Sequence, residues 1–245
     1  MITTDKTGFE ILQTIQNAVG FNRWMFDRIK PFCQGAVLEL GSGIGTLSAF
    51  LASSCPELTL SDIKPEYVSL LKEKFQSIKN VKEILSVDLQ ANSFFEKYGP
   101  LKEKYDTLVL LNVLEHLENE SEAIRNCRFL LKNGGSLIIL VPAYRFLYSK
   151  LDKELGHYRR YTSAKLQKLL VKTGLHPKKT FYFNALGIAA WLYGKLFSLK
   201  NIPRSEMSLF DKLTPVGKLM DRLIFHRAGL SVICVSQKEK GPLTE

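Results

Sequence analysis

The chain has 245 residues, of which 45% are hydrophobic and 24% are charged, a composition that fits a folded globular protein and excludes disorder over most of its length. Its four cysteines are scattered, without a Cys-x-x-Cys pair or a Cys/His cluster, which argues against a disulfide framework and a structural zinc site. The net charge is +10. Because the polar N-terminus lacks the apolar stretch of a signal peptide, we expect a cytoplasmic protein.

Short apolar runs alternate with longer amphipathic stretches along the chain, as is typical of a parallel sheet flanked by helices. The predicted strands are 36–40, 58–62, 83–88, 105–112, 136–142, 179–183 and 229–235. Helices are predicted around 47–51, from Pro65, from Ile124 to a cap at 133–135, and at 163–172. The pattern predicts an α/β fold with a doubly wound, seven-stranded, mostly parallel sheet of the Rossmann-like type.

Two segments are predicted to lie outside this core. Residues 1–30 form an N-terminal helical segment, and residues 184–227 form a helical insertion before the last strand, too long for a simple loop. The remaining boundaries are 31–183 and 228–236 for the core and 237–245 for a flexible tail. Within the insertion, residues 185–197 are apolar on nearly all sides but too short to span a bilayer. They form either a buried cap helix or a segment that lies on a membrane surface.

A glycine-rich loop, Glu39-Leu40-Gly41-Ser42-Gly43-Ile44-Gly45, separates the first strand from the first helix. Glycines allow a tight turn and a close approach of the backbone to a ligand, while the helix N-terminus offers unpaired N–H groups. Dinucleotides and S-adenosylmethionine (SAM) both suit such a loop. The dinucleotide fingerprint wants Gly or Ala where this chain has Thr46, and Glu39 would repel a pyrophosphate. The loop therefore favours SAM, whose ammonium and sulfonium groups suit a carboxylate.

Polar side chains follow the next strands at the edge of the sheet where open α/β folds bind their ligands. Asp62 comes 21 residues after the first glycine, where it can accept both ribose hydroxyls of an adenosine. Asp88 ends the third predicted strand and can reach the adenine amino group, with Leu89 against the ring. Asn112 and Val113 end the fourth strand beside the same cleft. The alternative is that these polar strand ends serve only as helix caps.

Four segments, VLELGSGIG, LSDIKPEY, SVDL and YDTLVLLNVLEHLEN, resemble the successive motifs of class I SAM-dependent methyltransferases, in the group that includes quinone-biosynthesis enzymes. The resemblance covers residues 36–142 and implies SAM as cofactor and S-adenosylhomocysteine as product. It implies that the methionine part of SAM is bordered by Glu39, Gly41, Gly43 and Gly45, and that the ribose and adenine are held by Asp62, Ile63, Asp88 and Leu89. The predicted SAM site also includes Ser42, Asn112 and Val113. Beyond it, AYRFLYSKLDKELGHYRRYTSAKL resembles a bacterial subset of these enzymes, whose domains can occur beside glycosyltransferases.

Methyl transfer requires alignment of the acceptor and, where the acceptor must lose a proton, a base. His116 in LEHLE and His157 in GHYRRY are the candidate bases, although His116 is equally suited to fixing a loop. No metal-ligand spacing is present, so no metal is expected.

The acceptor site is predicted in the GHYRRY region. Arg159 and Arg160 can bind a phosphate or carboxylate in bidentate fashion. An aromatic rim is predicted from Tyr144, Tyr148 and Tyr161. The alternative is a salt-bridged structural corner that these residues form with Asp152 and Glu154.

The excess positive charge lies entirely in the last two-fifths of the chain. Residues 1–144 carry 15 Lys and Arg against 17 Asp and Glu, a net of −2, and residues 145–245 carry 19 against 7, a net of +12. The asymmetry favours an acidic partner, although a generally basic surface gives the same count. Our leading hypothesis is methyl transfer to a small or glycolipid acceptor with negative charge, with O-methylation favoured and peripheral membrane contact through 185–197. An RNA methyltransferase and a non-catalytic SAM-binding regulatory domain are the alternatives.

Overall fold

The computed structural model describes residues 6–196 and 204–239. The strands are β1 (Ala36–Leu40), β2 (Glu57–Ser61), β3 (Val81–Leu85), β4 (Tyr105–Leu111), β5 (Leu131–Pro142), β6 (Leu175–Phe183) and β7 (Ser231–Lys238). They form one sheet in the order β3-β2-β1-β4-β5-β7-β6. Neighbours from β3 to β5 run parallel, and β7 is antiparallel to both β5 and β6. The predicted doubly wound, mostly parallel α/β sheet is confirmed.

Helices cover both faces of this sheet. They are α1 (Lys6–Gln16), α2 (Val19–Ile29), α3 (Thr46–Ala52), α4 (Pro65–Phe75), α5 (Phe94–Lys97), α6 (Glu120–Leu130), α7 (Lys150–Glu154), α8 (Ser163–Lys172), α9 (Leu186–Leu196), α10 (Arg204–Lys212) and α11 (Thr214–Leu223). Because successive strand residues point to opposite faces, Leu108 and Leu110 pack with α6 and α8. Val109 between them packs with α2, α3 and α4.

The apolar pattern located most elements correctly but misplaced two ends. The third strand stops at Leu85, so Asp88 lies in the loop beyond it rather than at the strand end. Helix α6 ends at Leu130, and β5 begins directly because Leu131 pairs with Tyr105 of β4. Residues 133–135 therefore belong to the strand, and the predicted helix cap there is wrong.

The predicted flexible tail at 237–245 is wrong in its first residues. Gln237 and Lys238 belong to β7 and pair with β5 and β6. The Lys238 ammonium is buried, where it donates to the carboxylate of Glu103 and the carbonyl of Leu131. The remainder of that tail, 240–245, lies outside the described residues.

The helices between β6 and β7, α9 to α11, are called the cap below. The backbone N–H of Phe21 in α2 donates to Asp211 in α10 over 2.6 Å, and the Trp24 ring lies close to Gly217 in α11. Buried Asp221 of α11 accepts the backbone N–H groups of Asn184 and the residue after it, at the start of the cap. The N-terminal helices and the cap therefore contact each other. The division into helical segment, core and cap stays a prediction.

Candidate functional site

A cavity of about 630 Å³ opens at the carboxyl ends of β1, β2 and β4. Strand β1 pairs with β2 on one side and β4 on the other, so the cavity lies at the point where the strand order reverses. Its floor is the glycine loop, and its remaining walls come from α1, the loop after β4, the segment 149–160, α9 and α10. The cavity is therefore formed jointly by the core, the N-terminal helix and the cap.

The glycine loop has the backbone geometry that the sequence predicts. Gly41 has φ +75° and Gly43 has φ +54°, a left-handed conformation that other residues adopt at a cost. A Cβ atom on Gly41 would lie 2.4 Å from Cγ2 of Val113, so only glycine fits there without movement of its neighbour. One on Gly43 would touch Leu12 of α1 at 3.4 Å, which shows how closely α1 lies over the loop.

Gly45 has a different surrounding. It does not line the cavity, and a Cβ atom there would lie 2.5 Å from the ring of Phe75 in α4. Its φ of +85° also favours glycine. Gly45 therefore permits close packing of the loop against α4. It does not border the cavity, so its prediction as a direct cofactor contact is wrong.

Asp62 links the loop to the second strand. Its Oδ2 accepts the Gly43 N–H over 2.8 Å, and its Oδ1 accepts the Lys64 N–H over 3.0 Å. Burial raises the pKa of this carboxyl, although the backbone hydrogen bonds act in the opposite direction. Each carboxylate oxygen can accept more than one hydrogen bond, so both can also accept from a ligand hydroxyl in the cavity.

Glu39 is a buried acid at the bottom of the cavity, with only 4% of its surface exposed. Burial raises its pKa to about 7, while hydrogen bonds from Ser48 and Ser42 act to lower it. A cationic ligand would favour the charged form of this group. The site is therefore suited electrostatically to a ligand with positive charge.

The other predicted cofactor residues also border the cavity: Ser42, Ile63, Asp88, Leu89, Asn112 and Val113. The Ile63 side chain is 54% exposed at the mouth, and Leu89 is buried. Asp88 reaches the cavity from its loop, where its carboxylate accepts the N–H of Gln90. Folding thus brings together all the predicted cofactor residues except Gly45, although their individual functions stay predictions.

Asp152 organises the opposite side of the cavity. Its buried carboxylate accepts from Arg160 Nε at 2.8 Å and Nη2 at 3.1 Å, and lies 2.9 Å from Nδ1 of His157. Burial acts to raise the pKa of Asp152, but the hydrogen bonds from His157 and Arg160 prevail and lower it. Asp152 is therefore charged at neutral pH, and it fixes the His157 ring at the cavity wall.

Three chemically active side chains meet beside this pair: Glu115, His116 and His157, which we call the EHH cluster. One possible ligand atom from each lies within 4.8 Å of those of the other two. The rings of the two histidines are nearly perpendicular, with centroids 4.6 Å apart. Glu115 is completely buried, and burial raises its pKa to about 8. All three residues line the cavity.

The predicted acceptor residues divide into two groups. Arg160 lines the cavity, although Asp152 holds its guanidinium and Trp191 stacks against it at 4.4 Å. Arg159 lies outside the cavity, paired with Glu120 at 3.1 Å, so its assignment as an acceptor contact is wrong in this conformation.

The predicted aromatic rim is not present around the cavity. Tyr161 is fully buried and donates to Glu120 over 2.6 Å, Tyr144 stacks on Tyr182, and Tyr148 donates to the carbonyl of His157. These tyrosines hold the segment in place. The alternative of a salt-bridged corner describes Arg160 better, because it pairs with Asp152. Arg159 pairs with Glu120, where the predicted corner had Glu154.

Sequence reasoning missed two residues of the cavity wall, Glu115 and Trp191. Glu115 stands in LEHLE beside the noted His116, but nothing in the local pattern indicates that it is buried without a partner. His157 follows His116 by 41 residues and reaches it only through folding, so the sequence shows no metal-ligand spacing. The contribution of Trp191 and other cap residues to the wall was equally invisible.

The family described as "methyltransferase domain" matches residues 38–137, which include the glycine loop, Asp62 and two members of the EHH cluster. A ubiquinone biosynthesis O-methyltransferase of Xanthomonas euvesicatoria pv. vesicatoria is 26% identical over 68% of this chain and 64% of its own length. A polyketide synthase of Dictyostelium discoideum is 26% identical over 65% of this chain and 7% of its own length. The chain thus spans less than two thirds of either relative.

The fold also has solved counterparts. A SAM-dependent methyltransferase from Archaeoglobus fulgidus superposes with a TM-score of 0.55, at 16% identity, covering 89% of this chain and 94% of its own. At this identity the likeness concerns the fold.

Proposed function

We propose that this chain is a class I methyltransferase, which transfers a methyl group from SAM to a hydroxyl of an amphiphilic, anionic acceptor, small or lipid-linked. The match of residues 38–137 to a methyltransferase domain and the likeness of the fold support the proposal. One observation carries this proposal. A single cavity extends from the glycine loop and Asp62 past the EHH cluster to the cap. It therefore offers room for two ligands placed end to end, with ionisable side chains between them.

The cofactor half fits SAM on the geometry of the loop. Gly41 and Gly43 keep Cβ atoms away from the floor, and Glu39 supplies a buried carboxyl whose charged form a cation favours. Asp62 would accept the ribose hydroxyls, with Ile63 and the Asp88 loop beside the base. When bound there, SAM supplies an electrophilic methyl carbon, which the acceptor oxygen takes up while the C–S bond breaks and sulfur keeps the electron pair.

The acceptor hydroxyl must lose its proton for this displacement. The EHH cluster lies on the cap side of the loop, and imidazole is the side chain that most often acts as a general base in enzymes. Asp152 binds Nδ1 of His157, so Nε2 of the same ring points away from Asp152. The names of the O-methyltransferase relatives agree with oxygen as the methylated atom.

The walls beyond the cluster favour an acceptor that is partly apolar. Trp191 of α9 and Met207 and Phe210 of α10 line this end, together with the cation Lys195. An apolar wall with a cation at its edge suits a molecule with an apolar body and an acidic group.

The outer surface of the cap favours contact with an anionic membrane. Ten of the 17 large hydrophobic side chains that are exposed among the described residues lie between 192 and 225. They are Leu192, Tyr193, Leu196, Leu209, Leu213, Val216, Leu219, Met220, Leu223 and Phe225. Exposed cations lie among them, at Lys212, Arg222 and Arg227. Apolar area with flanking Lys and Arg is what binds peripheral proteins to acidic lipid. Along the stretches that the structure describes, no helix is long and apolar enough to cross a bilayer.

Segment 185–197 therefore takes part in two ways. Only Gly187 of α9 is buried, so the buried cap helix considered from the sequence is not what the structure has. One side of α9 borders the cavity and exposed side chains occupy the other. Phe197 lies outside the described residues.

A methylation assay tests the proposed activity. Extract from the producing cell is incubated with the protein and SAM labelled in its methyl group, then separated into lipid, aqueous and nucleic-acid fractions. We expect label in the lipid or small-molecule fraction, and its loss with Asp62→Ala. Label on RNA alone would contradict the acceptor class, and SAM binding without label in any fraction would favour a regulatory domain.

A vesicle assay tests the membrane contact separately. The protein is sedimented with vesicles of phosphatidylglycerol and phosphatidylcholine, and with phosphatidylcholine alone. We expect binding to the acidic vesicles that Leu219→Glu combined with Leu223→Glu abolishes. Val171→Glu, an equally exposed apolar site on α8, is the matched control and should bind like the wild type. Equal binding by the double variant would refute the assignment of this surface.

A further inference from the structure

The carboxylate of Glu115 has no partner that explains its burial. It is 0% exposed, and neither of its oxygens has a hydrogen-bond partner among the described residues. A buried carboxyl is normally paired with a cation, hydrogen-bonded, bound to a metal or protonated, and the protonated form still needs an acceptor for its O–H group. The nearby cation Arg160 is already used, because its guanidinium is bound by Asp152 and by the carbonyl of Ala143.

The two histidines of the EHH cluster supply further ligand atoms at the same point. The three side chains present one carboxylate oxygen and two imidazole nitrogens, all within 4.8 Å of one another. Because bonds from a first-row metal to such atoms are about 2.0–2.2 Å long, two ligand atoms of one ion lie no more than about 4.4 Å apart. Small side-chain rotations would therefore bring the three atoms onto one ion.

Asp152 prepares His157 for this task. A charged carboxylate only accepts hydrogen bonds, so Nδ1 of His157 carries the hydrogen at 2.9 Å and Nε2 keeps its lone pair. Metal-binding histidines usually donate their second N–H to a carboxylate in this way, which fixes both the tautomer and the ring. Asp152 in turn is fixed by Arg160 and by the backbone N–H of Ser149.

We propose that the EHH cluster is a binding site for one divalent first-row transition-metal ion, held by Glu115, His116 and His157, with Asp152 as the hydrogen-bond partner of His157. Two nitrogens and one carboxylate suit Zn²⁺ or Mn²⁺ better than Mg²⁺, which prefers oxygen. All three ligands line the cavity, so an ion that they held would lie next to the acceptor.

The consequence for catalysis rests on the proposed function. An acceptor hydroxyl in contact with the ion loses its proton to water more readily, because the positive charge stabilises the oxygen anion. The histidines then act as ligands, and the ion takes over the work that a free imidazole would do as the base. The anionic oxygen attacks the methyl carbon, and the electron pair of the broken C–S bond stays on sulfur.

Metal binding is measured without SAM or acceptor, so that it does not depend on turnover. The full chain is stripped with a chelator, dialysed, and titrated with ZnCl₂ and with MnCl₂ by calorimetry, with Mn²⁺ also followed by electron paramagnetic resonance. We expect one ion per chain. Glu115→Gln, which keeps the size but removes the charge, and His157→Ala should each weaken binding by at least tenfold. Asp152→Asn should weaken ion binding by about 10–100-fold, because the Nδ1–H group of His157 loses its carboxylate partner.

His176→Ala is the matched control, because this histidine pairs with Glu239 on the surface, away from the cluster. It should bind the ion like the wild type. Each variant is first checked by circular dichroism, and His116→Ala replaces any cluster variant that does not fold. Absence of a one-to-one site, or equal affinity in Glu115→Gln and the wild type, overturns the proposal. Methyl transfer that persists in metal-free protein would refute the ion's part in catalysis while leaving the methyltransferase intact. One-to-one ion binding without transfer would support the metal site and contradict the proposed function.

Discussion

Replacing Gly41 by alanine tests whether the floor of the cavity depends on the absence of a side chain. The new Cβ would lie 2.4 Å from Cγ2 of Val113, and the backbone φ of +75° is unfavourable for alanine. The left-handed conformation costs about 1–2 kcal/mol and overpacking costs about 1–3 kcal/mol. We therefore expect the free energy of unfolding to fall by about 2–5 kcal/mol, with SAM binding weakened because the loop must shift.

A second substitution separates the two contributions. Val113→Ala removes Cγ2 and leaves the Val113 Cβ, which is 3.6 Å from the new methyl group of Gly41→Ala, at ordinary contact distance. The double variant should therefore regain the part of the unfolding free energy that the steric contact costs, measured as a coupling of about 1–3 kcal/mol in a double-mutant cycle. The part lost through the left-handed backbone conformation should remain lost.

Urea unfolding of the wild type, both single variants and the double variant provides the cycle, and calorimetry with SAM provides the binding comparison. Gly99→Ala is the control, since a Cβ atom there meets nothing within 4 Å. A coupling below about 0.5 kcal/mol, the usual scatter for independent sites, would refute the close packing of the loop against Val113.

Three further predictions concern buried acids. Burial raises the pKa of Glu39 to about 7. The ligand-free protein should therefore lose about 3 kcal/mol of unfolding free energy as the pH rises from about 4.5 through 7. Thermal melts across that range should show this loss in the wild type and not in Glu39→Gln. Asp152→Ala should lower the unfolding free energy by about 3–5 kcal/mol, because it leaves the buried Arg160 unpaired; a urea midpoint equal to that of the wild type would contradict this. Asp221→Ala should cost about 2–5 kcal/mol, since two backbone N–H groups at the start of the cap lose their acceptor, and hydrogen exchange should quicken at Asn184.

The cofactor side of the site was predictable because its geometry is local. The order strand, glycine loop, helix fixes where residues 39–45 lie, and parallel strands bring the residues after β2 and β4 to the same edge. The Asp88 loop borders the cavity even though β3 ends at Leu85. Short-range pattern therefore determined both the sheet and its binding edge.

The acceptor side was not predictable, because it depends on contacts between distant segments. A bridge joins Ala143 to Tyr161 beside the sheet, and the Tyr144 N–H donates to the Tyr161 carbonyl over 2.7 Å. That pairing turns the Tyr161 ring into the core and leaves Arg159 on the outside. Nothing in GHYRRY alone distinguishes this arrangement from one in which the same side chains surround a ligand.

The position of β7 has a consequence for how the chain folds as it is synthesised. In the sheet β7 lies between β5 and β6, and β6 hydrogen-bonds along its length only to β7 among the described strands. As the chain emerges from the ribosome, β6 therefore stays unpaired until the whole cap and then β7 have been synthesised. Its exposed edge is open to pairing with other chains during that interval. We expect chaperone dependence and aggregation during expression to respond to changes in β6 and the cap more than to changes in the first five strands.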